Sequence, residues 1–453
     1  MTKWGLGTCS RLCFRGMRRH ETPIAIANAL ARHGPRKLAC ILDPSVGNGA
    51  LLEPFFRRSK AGFTAFAVDT DSRALNRVRA KFGTESGNDL RVVHGDFFDW
   101  ACSYASRRDK LFDCVVMNPP FAGRKGKWRD LAGVAKLLNL ETFPEVGPVE
   151  AGFVLAAIAL LRPGGRLLAV LPALIMTTPS SAWVRRLMNR TGAIRHVHEL
   201  PHFAFPGIEG RIYLVVYEKG GRHGQTLLLN HDLKEPERLL MDNGFVASAE
   251  RLDFGYHQAN AKYGALTKRV GIGWHRLGDL AEIWRGTERT PGIGKAVIHT
   301  KNYVSGFWRS HGVLGSPPGG SGYERIRAGD ILVRRVSRNC SSSFGLAVGI
   351  RGALVSDCVL VLRPRYRVSS VRLLFAIRCL MTLDFGARLL ERGTGATYIA
   401  QRELKSLEVP FGIAQTYAGL YENYAYAVRS GSFSRMQDLE AKIAERVVGT
   451  ASI

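Results

Sequence analysis

The sequence predicts an α/β fold for the first half of the chain, a mostly parallel sheet with helices on both faces. An α+β second half and C-terminal helices follow. Three observations predict this. Short apolar strand-like runs alternate with helix-like segments over residues 20–220, the pattern of a parallel sheet covered by helices. From residue 276 the character changes to short strands between glycine-rich turns. The length, 453 residues, exceeds what one ordinary hydrophobic core accommodates, so two or three domains are expected.

The elements follow in order. "LACILDP" (38–44), "TAFAVDT" (64–70), "LRVVHGD" (90–96), "FDCVVMNP" (112–119) and "GRLLAVLP" (165–172) are apolar strands closed by polar or turn residues. Residues 49–60, 72–82 and 150–162 are the helices expected between them. Strands near 194–199 and 212–218 have no long helical pattern between them and are expected to pair as a hairpin at the sheet edge. Residues 221–275 read as a connecting segment. "GDILVRRVS", "FGLAVGI" and "ALVSDCVLVLRP" give the strands of the second half, with helices over 370–382 and 383–391 and a helical pair over 416–448. "GSPPGGSGY" (315–323) reads as a loop tip. The expected division is therefore 1–220, 221–275, 276–415 and 416–453.

Composition narrows the function. With 46% hydrophobic and 23% charged residues the chain is globular, and its longest apolar stretches, such as "FVLAAIALL" (153–161), fall short of a membrane span. The N-terminus lacks the continuous apolar core of a signal peptide, so a cytoplasmic protein with no membrane partner is expected. Eight cysteines contain no CxxC pair and no Cys/His cluster of zinc spacing, so neither a metal site nor a disulfide framework is indicated. The 64 Lys+Arg against 38 Asp+Glu give a net charge of +26. A polyanionic partner, nucleic acid above all, accounts for such an excess; a surface made basic for solubility is the competing reading.

The chemistry concentrates at strand ends. In "ILDPSVGNGALL" (41–52), Gly47 and Gly49 let the backbone approach a ligand, and Asp43 and Pro44 open the turn. The third glycine of GxGxxG and the Lys-Ser/Thr of a P-loop are missing, which disfavours phosphate. Asp69 ends the next strand and can accept hydrogen bonds from a ribose diol. Asp96 follows the third strand and can bond an exocyclic amine, and Phe97 can flank a purine ring. Together these residues describe an adenosine pocket without a diphosphate. The fourth strand runs into Asn118-Pro119-Pro120-Phe121, where two prolines stop the ladder.

This order of motifs resembles the gamma-type N6-adenine DNA methyltransferases, which use S-adenosylmethionine. "RRHETPIAIANAL" (18–30), "LRPGGRLLAVLP" (161–172) and "FAFPGIEGRIYLVVYEKG" (203–220) resemble further motifs of that family. The likeness covers about residues 15–220 and implies a Rossmann-like methyltransferase fold with a mostly parallel seven-stranded sheet. It implies that Thr22 borders the methionine end of the cofactor. It implies that the Asn118 side-chain oxygen and the Pro119 carbonyl accept the two N–H bonds of the target amine, held rigidly by the prolines. Phe121 would stack on the extruded base, and Phe205, with Phe203 as competitor, would do so too.

The second half resembles the target-recognition domains of type I specificity subunits, in "RLDFGYHQANAKYGAL", "RLGDLAEIWRG", "GDILVRRVSRNC" and "GTGATYIAQRELKSLEVP". Arg334, Arg335 and Arg338 there, and Arg124, Lys125 and Lys127 after the NPPF motif, are the expected contacts to double-stranded DNA, to phosphate or to base edges. The expectation is a sequence-specific adenine methyltransferase of a restriction-modification or phage-defence system, in the prokaryotic cytosol and nucleoid-associated on DNA. No nuclease cluster is evident, so cleavage would come from a separate restriction endonuclease or other defence subunit. Cytosine-N4 methylation, an RNA or protein methyltransferase, and a non-catalytic DNA-binding module remain alternatives.

Overall fold

Strands β1 (Cys40–Asp43), β2 (Thr64–Asp69), β3 (Asp89–His94) and β4 (Phe112–Met117) alternate with α1 (Ile24–Ala31), α2 (Glu53–Arg58), α3 (Ser72–Phe82) and α4 (Phe97–Ser106). This computed structural model describes residues 21–58, 61–83, 87–107, 111–121, 128–201, 204–205, 210–222, 224–230, 232, 236–241, 251–268, 272–287, 297–309, 325–350, 352–393 and 397–449. Arg124, Lys125, Lys127, Phe203 and the 315–323 loop tip lie outside the described residues. After β4 come a short hairpin of β5 (Trp128–Asp130) and β6 (Val146–Pro148) around α5 (Ala132–Leu137), then α6 (Val149–Leu160) and β7 (Leu161–Pro172). Next are α7 (Ala173–Thr177), α8 (Ala182–Thr191), β8 (Gly192–Glu199), β9 (Ile212–Lys219), β10 (Thr226–Leu229) and β11 (Arg238–Met241).

The strands form one nine-stranded sheet in the order β11-β10-β8-β9-β7-β4-β1-β2-β3. The run from β3 to β7 is parallel throughout. The hairpin expected at the edge is interior: β9 lies between β7 and β8, antiparallel to both. Its apolar run Ile212–Tyr217 is buried on both faces, which suits a central strand and not an edge. The expected seven strands are nine, because the segment read as a connector adds β10 beside β8 and β11 beyond it. β11 alternates exposed and half-buried residues, as an edge strand does.

Alternation along the strands feeds two cores. Leu42, Val115, Met117, Leu167 and Ala169 face α4, α6 and α8, while Ile41, Cys114, Val116, Leu168 and Val170 face α1, α2 and α3. In the first half, α1, α4, α5, α7 and α8 had no counterpart in the sequence reading; α4 is capped by Asp96. Among the described residues no helix is long and apolar enough to cross a membrane.

In the second half, Ala281–Arg285, Val359–Pro364, Ile331–Arg334, Gly345–Ala347, Phe307–Trp308 and Tyr303–Val304 form a six-stranded sheet. One face of it packs on helix Ser370–Thr382 and on the terminal helices Ala418–Arg429 and Phe433–Gly449. The terminal helices are thus part of this core. Buried Arg378 and Glu440 tie them in, with Nε to Oε1 at 2.5 Å and Nη2 to Oε2 at 2.9 Å.

Candidate active site

In an open parallel sheet, ligands bind beyond the carboxyl ends of the strands where the strand order reverses. Here that point lies between β1 and β4, which end at Asp43 and just before Asn118. The loop after β1 curls back on itself: Ser45 N donates to Asp43 Oδ1 (3.1 Å), and Gly49 N donates to Val46 O (2.8 Å). Gly47 and Gly49 both have positive φ, +53° and +80°, the region that only glycine adopts without strain. A Cβ on Gly49 would meet Phe82 Cε2 at 2.6 Å, so that glycine is there for packing. A Cβ on Gly47 would meet nothing nearer than 4.0 Å, and one on Gly95 nothing within 4 Å, so space opens in front of both.

Carboxylates border that space. Asp69 Oδ2 accepts from Gly47 N (2.9 Å) and Oδ1 from Asp71 N (2.9 Å), which joins the ends of β1 and β2. A carboxylate oxygen can accept more than one hydrogen bond, so these two do not by themselves bar a ligand hydroxyl. Asp96 caps α4 through Phe98 N (2.8 Å) and forms an ion pair with Arg129 of β5. Asp43 is buried, and desolvation, opposed by the Ser45 bond and helped by the nearby Asp69 charge, pushes its pKa up to about 8. It is therefore mostly neutral at pH 7, and a cation brought beside it would draw off the proton. Open glycines, a half-buried carboxylate at the second strand end and a carboxyl poised to meet positive charge fit an adenosyl sulfonium.

Asn118 completes the edge. Its Nδ2 donates to Thr22 Oγ1 (3.0 Å), and its carbonyl accepts from Ser45 Oγ (3.1 Å). With Nδ2 committed to Thr22, Oδ1 is the side-chain atom left to accept from a substrate amine. Thr22, Ser45 and Asn118, up to 96 positions apart in sequence, thus meet at one point. Pro119 is buried, and Pro120 and Phe121 are half-buried. Phe121 packs against the cluster that contains Phe205.

Several expected residues are placed differently. Phe97 is buried against Phe153 (5.0 Å between centroids), so it fills the core; half-buried Phe98, with the Arg129 guanidinium 5.2 Å over it, is the more accessible ring at that corner. Phe205 is 1% exposed, packed in the core that holds Leu200 and Ile212, and offers no free face for stacking. Arg334 Nε donates to Thr300 O (3.0 Å) and Arg335 Nε to Asp357 O (2.6 Å), so both hold loop carbonyls, while Arg338 is exposed. The sequence reading missed the grip of Arg129 on Asp96 and the use of Ser45; neither residue type signals its partner.

Residues 19–238 match a family model described as N-6 DNA Methylase. The chain is 26% identical over 220 residues to Type II methyltransferase M.TthHB8I of Thermus thermophilus, covering 46% of this chain and 46% of that protein. It is 20% identical over 209 residues to Type II methyltransferase M.HincII of Haemophilus influenzae, covering 44% and 36%. The matches thus span about half the length of these curated relatives, or less. Among solved structures, the type IIG restriction endonuclease BpuSI resembles this chain with a TM-score of 0.50 at 13% identity, covering 94% of this chain and 65% of that one. The type IIL restriction-modification enzyme MmeI in complex with DNA gives 0.51 at 10% identity, covering 91% and 70%. At such identities the likeness concerns fold, and it runs through both halves of the chain.

Proposed function

We propose, from the match of residues 19–238 to the N-6 DNA Methylase family model, that this chain is a sequence-specific DNA methyltransferase. It acts on the N6 amine of an adenine extruded from the duplex, in a restriction-modification setting in a prokaryotic cytosol. One observation carries the reading. Asn118 stands at the switch point of the sheet with its amide oriented by Thr22 (3.0 Å) and its backbone held by Ser45 (3.1 Å). A rigidly oriented acceptor at that place is what amine methylation requires and what a DNA-binding module alone does not.

S-adenosylmethionine, when bound, supplies the electrophilic methyl group. Asp69 would take the ribose hydroxyls, the open space before Gly47 and Gly95 would take the adenosine, and Asp96 would accept from its amine. Asn118 Oδ1 and the Pro119 carbonyl would accept the two N–H bonds of the target amine. They would hold its nitrogen toward sp3 geometry, with acceptors that need no reorganisation. Phe121 would provide the stacking surface for the base, with Phe205 packed beneath as its support. Extrusion is needed because the amine is otherwise paired in the duplex.

The second half would read the sequence. Its support is a fold likeness that reaches MmeI, a structure solved with DNA, beside the net charge of +26 that the chain carries as a whole. We place the catalytic unit at 19–241 and the recognition unit at 276–449, with 251–268 as the joint between them. Arg338 and the basic stretch 123–129 would contact the duplex, and cleavage would belong to a separate endonuclease. Methylation-sensitive long-read sequencing of DNA from cells expressing the chain tests the reading. One short motif with a modified adenine is expected; modified cytosine alone, or unmodified DNA in the presence of folded protein, would refute it.

A further inference from the structure

Arg251-Leu252-Asp253 takes no part in that chemistry, yet its two charged side chains are 2% and 0% exposed. Arg251 grips Asp253 in bidentate fashion, Nε to Oδ1 at 2.7 Å and Nη2 to Oδ2 at 2.6 Å. Its guanidinium lies 4.2 Å from the Tyr256 ring centre and reaches Glu391 O of the second half at 3.4 Å. On the other side, Asp253 Oδ2 lies 3.7 Å from Arg211 Nη1, and Leu252 N donates to Met176 O at 3.0 Å. Three hydrogen bonds flank the pair. Arg392 Nη1 donates to Thr177 O (2.7 Å), and Glu199 takes Arg388 Nη1 (3.3 Å) and Gly255 N (3.2 Å) on separate oxygens.

Every contact with the first half falls on the carboxyl edge of the sheet. Met176 and Thr177 follow β7, Glu199 ends β8, and Arg211 precedes antiparallel β9. β7 is also the neighbour of β4, the strand that delivers Asn118. The clasp therefore starts one strand away from the reacting position.

Affinity alone does not explain such a joint. Burying these charges costs desolvation that well-packed apolar residues would avoid. An apolar seam, however, tolerates a slip of one side chain past another. A bidentate pair that also holds a carbonyl of the second half and faces Arg211 of the first has one arrangement.

We propose that the Arg251–Asp253 clasp is a positioning device: it fixes the second half relative to Asn118 and so sets which base of a bound sequence reaches the catalytic edge. The inference rests on the methyltransferase reading above.

The test uses the full chain as wild type, Arg251→Lys, Asp253→Asn and Arg388→Gln. Lysine keeps the charge and loses the two-pronged geometry. Arg388, with 38% of its side chain exposed, can be changed without opening the core. Four quantities are measured: cofactor Kd, Kd for duplex bearing the recognition sequence, single-turnover methylation rate, and the positions methylated. In folded Arg251 and Asp253 variants both Kd values stay within about threefold while the rate falls about tenfold or more, and methyl groups appear on adenines beside the target. Arg388→Gln keeps both Kd values at wild type while its rate falls about threefold and methyl groups again appear beside the target, and it carries the test if the buried variants do not fold. Wild-type rate and position in the folded variants overturn the proposal. So does a rate loss matched by an equal loss of DNA affinity, which marks a merely structural role. A wild-type chain that methylates no DNA defeats the functional reading instead.

Discussion

Asp43 is a carboxyl group with almost no water around it, and its pKa, about 8, records that cost. The unfolded chain releases this proton near pH 4, whereas the native protein holds it until about pH 8. Between those values the native state binds the extra proton, so its contribution to stability is present at low pH and is lost as the pH rises through the window. The slope from this one residue approaches about 1.4 kcal/mol per pH unit. Denaturant titrations of wild type and Asp43→Asn from pH 5 to 8 measure it as a difference, which should decline with pH; parallel curves would show that Asp43 is ionised throughout. At this scale the sequence was informative for backbone-directed groups. The common edge that holds Asp43, Asp69 and Asn118 was legible because a polar residue closing an apolar strand marks where that strand ends. Phe97 and Phe205 were not, since a ring beside a strand end packs into a core as readily as it lines a cleft. Arg334 and Arg335 carry a similar ambiguity: a guanidinium satisfies backbone carbonyls as well as it does phosphates.

The turn after β1 shows how one element divides two tasks between two glycines. Gly49→Ala puts a methyl group 2.6 Å from the Phe82 ring, which is itself stacked on Phe56 at 4.4 Å. Overpacking of this kind costs about 1–3 kcal/mol, and the left-handed backbone adds about 1 kcal/mol more. Gly47→Ala carries the backbone strain alone, because its Cβ would stand in open space. Gly49→Ala is therefore expected to lower the melting temperature with little change in cofactor affinity per folded molecule. Gly47→Ala is expected to fold nearly as well and to lose cofactor affinity. Thermal denaturation beside calorimetry separates the two, and the reverse pattern would contradict the assignment. Among the elements, the parallel strands were legible because each is a short apolar run ended by a turn. The place of β9 was not: alternation and burial say that a strand is central, but not between which neighbours. Helix α4 was obscured by its aromatic composition, although Asp96 is a good N-cap signal.

Across the whole molecule the terminal helices belong to the fold of the second half. Glu440→Ala leaves Arg378 buried without its carboxylate partner, a change that typically costs about 3–5 kcal/mol. Chemical denaturation is expected to register this loss; a change below about 1 kcal/mol would show that the ion pair contributes little to the core. The same contact sets the limits of a specificity swap. A chimera exchanging residues 276–410 alone separates Arg378 from Glu440, whereas one exchanging 276–449 keeps them together and is expected to fold and to methylate at the donor's sequence. A folded, active chimera that keeps the parent's sequence would place recognition elsewhere. Two units could be read from length and pattern; that the last helices complete the second core could not, because a helix pattern does not name the surface it buries against.

The central claim is that Asn118 presents an adenine amine for methylation. Its most direct measurement is the nucleoside composition of duplex DNA incubated with S-adenosylmethionine and either the wild type or Asn118→Ala, digested and analysed by mass spectrometry. Wild type should yield N6-methyladenine. Asn118→Ala should bind cofactor and DNA normally while its single-turnover yield falls about a hundredfold or more, as expected when a preorganised acceptor is lost. N4-methylcytosine in place of N6-methyladenine, or undiminished transfer by Asn118→Ala, would contradict the account.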